Sequence, residues 1–194
     1  VGAMPFLLPL LFQLGFGLSP LQSGLMTFAS AIGALMVKGF AKRIVMRFRF
    51  RTVLAANAVI AAAFIAACGL FSPAMPFAII VGVLFVGGFF RSLEFTCINA
   101  LAFADVEANR LSRATTLSAV WQQLSISTGV ALGAFVVEFT LRHRGHATIN
   151  AQDFPPAFAV VGLLSALSVL IFMRLPKDAG SQLGGPPSPP AERR

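Results

Sequence analysis

The chain has 194 residues, of which 57% are hydrophobic and only 11% charged, with a formal net charge of +8. A soluble domain of ordinary composition carries roughly 25% charged residues, so this chain cannot cover a water-facing surface and a soluble fold is excluded. The same composition predicts an all-α integral membrane protein.

A helix needs about 20 apolar residues to cross the ~30 Å of hydrocarbon in a bilayer. Residues 1–16 form an apolar stub that contains Pro5, Pro9 and Gln13 and reads as a first span without its beginning. Val1-Gly2-Ala3-Met4-Pro5 has neither a basic leader region nor a cleavage site, so the chain is expected to begin within a longer protein. Full spans follow at 22–41, 53–71, 77–99, 114–140 and 156–173. Together they make a six-helix membrane half-domain over residues 1–175. The Gly-, Ser- and Pro-rich stretch 176–194 has no apolar period and is predicted to be a disordered cytoplasmic tail.

Lysine and arginine in the short gaps orient the spans. Lys38, Lys42, Arg43, Arg47, Arg49, Arg51, Arg110, Arg113, Arg174, Lys177, Arg193 and Arg194 fall on one side, against Arg142 and Arg144 on the other. The twelve-to-two distribution puts both ends and residues 39–52 in the cytoplasm, and 15–21, 72–76 and 142–155 outside. In a bacterium that membrane is the inner one. The positive charge reflects this topology and attracts anionic lipid headgroups; a nucleic-acid partner is not expected.

Polar residues inside the spans are costly in hydrocarbon and mark a bundle interior or a wet cavity. The third and sixth spans are almost uniformly apolar and are free to face lipid. The first contains Gln13, the fourth Arg91, Glu94 and Asn99, and the fifth Ser118, Gln122, Gln123, Ser125, Ser127 and Thr128. Ser118, Gln122, Ser125, Gly129 and Gly133 follow one another at intervals of four, three, four and four, so they share one helical face. Gly129 and Gly133 also form a GxxxG, which admits a neighbouring helix closely. Gln122 fits a pore lining or an interhelical hydrogen bond equally well. Trp121, beside it, reads as packing or as a stacking surface for an aromatic compound.

Arg91 and Glu94 are one helical turn apart, close enough for a charge pair that lowers the cost of burial. Two roles stay open for them: a structural ion pair near the cytoplasmic end of the span, and a cavity-facing charge that senses substrate or helps gating. Glu138 reads as an interfacial residue. Cys68 and Cys97 lie near opposite ends of their helices and read as small apolar fillers. His143 and His146 have an i, i+3 spacing, but apart from Asp153 no acid or thiol is near to complete a site, so a solvated loop is expected and no metal. No cofactor is expected. No span contains a Ser/His pair, an Asp pair or a His-Glu metal motif, so an enzyme is not expected.

The stretch Arg91-Ser-Leu-Glu-Phe-Thr-Cys-Ile-Asn-Ala-Leu-Ala-Phe-Ala-Asp105, followed by Leu111-Ser-Arg-Ala-Thr-Thr-Leu-Ser-Ala-Val-Trp-Gln-Gln-Leu-Ser-Ile-Ser-Thr-Gly-Val-Ala131, resembles the late spans of major facilitator superfamily exporters of the EmrB/QacA drug:proton antiporter type. Leu7-Leu-Pro-Leu-Leu-Phe-Gln13 through Leu18-Ser-Pro-Leu-Gln-Ser-Gly24 is similar to the entry into that family's C-terminal half. The resemblance covers about residues 4–175. It implies half of a twelve- or fourteen-span transporter made of two inverted three-helix repeats, whose first, second, fourth and fifth helices approach the central cavity while the third and sixth brace them. It also implies partners: the N-terminal half of the same transporter, a small-molecule substrate and protons.

The basic stretch from Gly39 to Arg51 resembles the loop that carries the superfamily's Gly-Asp-Arg signature, but the acidic member is missing and Lys42 and Arg43 stand in that region. The function expected on this resemblance is proton-coupled export of small amphipathic or cationic compounds by alternating access. The candidates for its pathway are Gln13, Arg91, Glu94, Asn99, Ser118, Trp121, Gln122 and Ser125, with Gly129 and Gly133 for helix packing. The chain alone is expected to be inactive, since one half cannot alternate. A non-transporting or homodimerising six-span protein is the alternative.

Overall fold

A computed structural model describes residues 2–47, 50–103, 106 and 110–174, with the side chains of all of these except 40–47 and 50. The described residues are helical and contain no strand: α1 (Met4–Leu10), α2 (Pro20–Arg47), α3 (Phe50–Cys68), α4 (Phe77–Phe103), α5 (Leu111–Arg144) and α6 (Pro155–Phe172). Five of them are long and apolar enough to cross a membrane, and Met4–Gly15 is a shorter apolar helix. Hydrocarbon offers backbone groups no water, so a spanning segment must satisfy its own hydrogen bonds as a helix.

The helix ends have local chemical causes. Ahead of α2, Ser19 and Gln22 cap each other: the Ser19 N–H donates to Gln22 Oε1 at 3.0 Å and the Gln22 N–H to Ser19 Oγ at 3.3 Å, with Pro20 as first helical residue. α5 ends at Gly145, whose φ of 68° suits a residue without Cβ. Pro9 has no N–H to continue the helical ladder, and α1 passes into a π-helical segment, Leu11–Gly15, the kind of irregularity that proline imposes.

Several boundaries differ from the sequence reading. The basic connection between the second and third spans is not a simple loop, because α2 stays helical through Arg47 and α3 starts at Phe50. α4 continues to Phe103, and α5 extends from Leu111 to Arg144. Hydropathy marks only the part of a helix that suits hydrocarbon, whereas backbone hydrogen bonding carries the helix on into the interface. The side chains of Lys42, Arg43 and Arg47, together with Arg49, Asp105 and the tail 176–194, lie outside the described residues.

α2 and α4 form the most extensive helix pair, and α3 packs on both α4 and α6. One core cluster joins Leu7, Phe12, Met26, Ile65, Leu84 and Phe158; a smaller one joins Val37, Leu54, Leu93 and Cys97. Cys68 and Cys97 are buried free thiols. α6 turns Leu163, Leu164, Leu167, Leu170 and Ile171 outward, a surface suited to lipid. α5 is the least enclosed helix: it meets α1, α6 and the 3-10 turn Ala151–Asp153, and nearly every residue from Leu111 to Thr128 is exposed.

Candidate functional site

The site grows out of the α2–α4 crossing. Gly33 and Gly88 bring the two backbones into contact: a Cβ on Gly33 would overlap the Phe85 carbonyl, and one on Gly88 would overlap the Ser30 backbone. Two hydrogen bonds then fix the rotation of α4 on either side of Arg91. Asn57 Nδ2 of α3 donates to the Phe90 carbonyl at 2.8 Å, and the Ser92 hydroxyl donates to the Ala34 carbonyl of α2 at 3.1 Å. Asn57 is buried, where an amide needs such a partner.

Arg91 therefore emerges from the middle of α4, 14 residues after Phe77 and 12 before Phe103. The helix is longer than the span read from hydropathy, so Arg91 stands further from its C-terminal end than that span implied. Of the two roles left open for Arg91 and Glu94, the ion pair is not formed among the described residues. Arg91 reaches across to α2, where Nη2 lies 3.4 Å from Ser30 Oγ. Glu94 is buried on α4 with Oε2 lacking a hydrogen-bond partner. Adjacent turns place the two residues on neighbouring but distinct parts of the helix surface, and the tight α2 contact draws the arginine to its own side.

Arg91 lines an open cleft of about 470 Å³, including its mouth, between α1, α2 and α4. Met4, Pro5, Leu8 and Pro9 form one wall, and Thr27 and Ser30 the other. Among the described residues, Arg91 is the only ionisable side chain lining it. A second, more enclosed space behind it reaches Ala61, Phe64 and Cys68 of α3, again with Arg91 and Ser30 in its lining. Thr27, Ser30 and Asn57 were not singled out by the sequence; the signal available was the small-residue spacing Ser30-x-x-Gly33 and Gly88-x-x-x-Ser92, which marks close helix approach.

The remaining candidates are dispersed. Asn99 donates Nδ2 to the Phe95 carbonyl of its own helix at 2.9 Å. Gln13 is half-buried in the π-helical segment. Along the α5 stripe, Gly133 packs on the Leu7 side chain and Gly129 on the backbone at Ala3, while Ser118 is half-buried and Gln122 and Ser125 are exposed. Trp121 is 63% exposed, so it does not pack within this half. None of these α5 polar residues lines the Arg91 cleft.

Beyond the end of α5, the segment expected as a solvated loop is largely exposed, with one buried acid that organises it. Asp153 is fully buried, accepts the Asn150 N–H at 2.9 Å and lies 2.9 Å from His146 Nδ1. Arg144 Nη1 donates to the Gln152 carbonyl at 2.7 Å. His143 stacks on Phe139, so the two histidines point to different partners. Among the described residues no three metal-ligating side chains meet. Glu138 pairs with Arg142 at 2.7 Å on the exposed face of α5.

Residues 1–193 match the model of the Major Facilitator Superfamily. The chain belongs to the Major Facilitator Superfamily. Its relatives include proteins named for multidrug resistance, the MdtD proteins. That of Serratia proteamaculans is 31% identical over 186 residues, covering 91% of this chain and 38% of its own length. Those of Klebsiella pneumoniae (31% over 185 residues) and Yersinia pestis (30% over 189 residues) each cover 93% of this chain and 39% of their own length. The chain thus spans about two fifths of the length of these superfamily relatives.

Proposed function

We propose that the chain forms the C-terminal half of a multi-pass drug exporter, which moves small amphipathic compounds by alternating access against an N-terminal half and exchanges them for protons. The observation that carries this reading is the match to relatives named for multidrug resistance over 91–93% of this chain. Its coverage of only 38–39% of their length, and the exposed polar side chains of Gln122, Gln123 and Ser125 on α5, support a counterpart half facing α5. The Arg91 cation lining the cleft favours amphipathic over cationic cargo, since like charge at a low-dielectric site repels.

The test is dye and drug accumulation in an efflux-deficient bacterium. The full reading frame that contains this chain should lower accumulation of its substrates severalfold, and collapse of the proton gradient should abolish the difference. The 194-residue chain alone should insert but leave accumulation unchanged. Robust export by that chain alone would overturn the half-transporter reading in favour of a homodimer.

The orientation in this proposal follows the basic residues, with the α2–α3 connection inside. Thr52 and Thr148 are exposed, and both native cysteines are buried, so single introduced cysteines report cleanly. In intact cells an impermeant maleimide should label Thr148→Cys and spare Thr52→Cys; the reverse pattern would invert the topology.

A further inference from the structure

We infer that the Arg91 cleft is a binding subsite for an acidic group, a carboxylate or phosphate, on an amphipathic substrate. Three observations carry it. First, among the described residues Arg91 is the only ionisable one lining the cleft, and no carboxylate pairs with it. Its one side-chain hydrogen bond, to Ser30, is long at 3.4 Å, which leaves most of the guanidinium's donors open to a ligand. A charge at this depth is costly in hydrocarbon unless water or an anion meets it.

Second, the position is built. Asn57 and Ser92 hold α4 to its neighbours on either side of Arg91, and Gly33 and Gly88 leave no space for α4 to turn. A guanidinium held in this way offers its planar fork to a carboxylate without much reorganisation. The Ser30 and Thr27 hydroxyl-bearing side chains stand on the same wall, while Met4, Leu8 and the two prolines give the opposite wall an apolar face. An acid head beside an apolar body fits that division.

Third, depth selects the source of the anion. Ser30 lies 10 residues after Pro20 and 9 before Gly39 in its apolar span, and Arg91 is equally central in α4. At ~1.5 Å per residue both are well over a helical turn from either interface, beyond the reach of a lipid headgroup that stays at the membrane surface.

This inference rests on the transporter reading, but its test is binding and needs no transport. Purified full-length protein would be titrated with 1-naphthylacetate and its neutral twin 1-naphthylacetamide, following thermal stabilisation. Because a hydrogen bond to a charged group is worth 1.5–3 kcal/mol, the acid should bind at least about tenfold tighter than the amide. Arg91→Gln should remove that preference, and Arg91→Lys should keep part of it. Thr27→Trp fills the cleft without changing its charge, and should weaken binding of the acid by about tenfold or more; it serves if Arg91→Gln fails to fold. Equal affinity for acid and amide in the unmodified protein would overturn the inference, as would an acid preference that survives Arg91→Gln or acid binding that is undiminished in Thr27→Trp. Acid-selective binding lost in Arg91→Gln, in a protein that exports nothing, would leave the subsite standing and remove the exporter.

Discussion

Gly88→Val in the full-length protein is expected to abolish most of the folded material. The added side chain would have to occupy space held by the Ser30 backbone, whose Cα would be 2.7 Å from the first new carbon. A flexible side chain can swing away from such an intrusion, but backbone in the centre of a helix cannot. Overpacking a core commonly costs 1–3 kcal/mol, and here α2 and α4 would have to separate, so a cost at or above about 3 kcal/mol is expected. The hydrogen bonds from Ser92 to Ala34 and from Arg91 to Ser30 would be lost in the same movement. Size-exclusion profiles and thermal melting in detergent report the effect. Gly33→Val, which meets the Phe85 carbonyl, should behave alike, whereas Gly82→Val, with open space around it, should melt like the parent. Wild-type melting of Gly88→Val would show that the α2–α4 contact is looser than described.

Asp153→Ala is expected to destabilise the corner between α5 and α6 by about 2–4 kcal/mol. The carboxylate is fully buried, beside the buried Phe154 and ahead of the Pro155–Phe172 helix. It accepts from the Asn150 N–H and faces His146 Nδ1 at 2.9 and 3.2 Å through its two oxygens. Alanine would leave the Asn150 N–H and the half-buried imidazole without that partner, and both hydrogen bonds to a charged acceptor would be lost. Asp153→Asn retains an acceptor oxygen and should lose about half as much. His146→Ala should lose less than Asp153→Ala, because the imidazole side chain is 27% exposed and its removal leaves a carboxylate that still holds Asn150. The measurement is thermal unfolding together with protease sensitivity of residues 145–152. An Asp153→Ala protein as stable and resistant as the parent would mean that this corner contributes nothing to the fold.

The helices and their membrane setting were legible because bilayer thickness and backbone satisfaction act on local composition. Spans at 53–71 and 156–173 fall close to α3 and α6, whose apolar runs stop where the helices do. α2, α4 and α5 overran their expected ends because polar and basic residues extend a helix as readily as they end a hydropathy peak. The family, too, could be read from the order of residues between Arg91 and Ala131, and the match over residues 1–193 shows it.

The site was legible only in its charge. Sequence singled out Arg91, since an arginine in a membrane span is unusual wherever it points. Its partner was left open, because helical spacing offers Glu94 one turn away and says nothing of a serine 61 positions earlier in the chain, on α2. The Gly129–Gly133 motif was visible as an i, i+4 pair on one helix, whereas the tightest crossing uses Gly33 and Gly88, one from each of two helices, and no single-helix pattern joins them. Likewise His146 and Asp153 were seen as loop residues, since burial of Asp153 depends on how α5 and α6 converge.

What the sequence determined by itself, then, is the class of solvent, the count and hand of the spans relative to their basic ends as an expectation, and the presence of costly polarity in α4 and α5. These are properties of segments of about 20 residues, each answering to the bilayer alone. Only the tertiary structure decided which polar groups meet: it turned Arg91 toward Ser30, left Glu94 buried beside it, and formed the open cleft between α1, α2 and α4. Those choices follow from helix packing, where the absence of a side chain at two glycines sets the distance between backbones, and that distance is a relation between segments which neither contains.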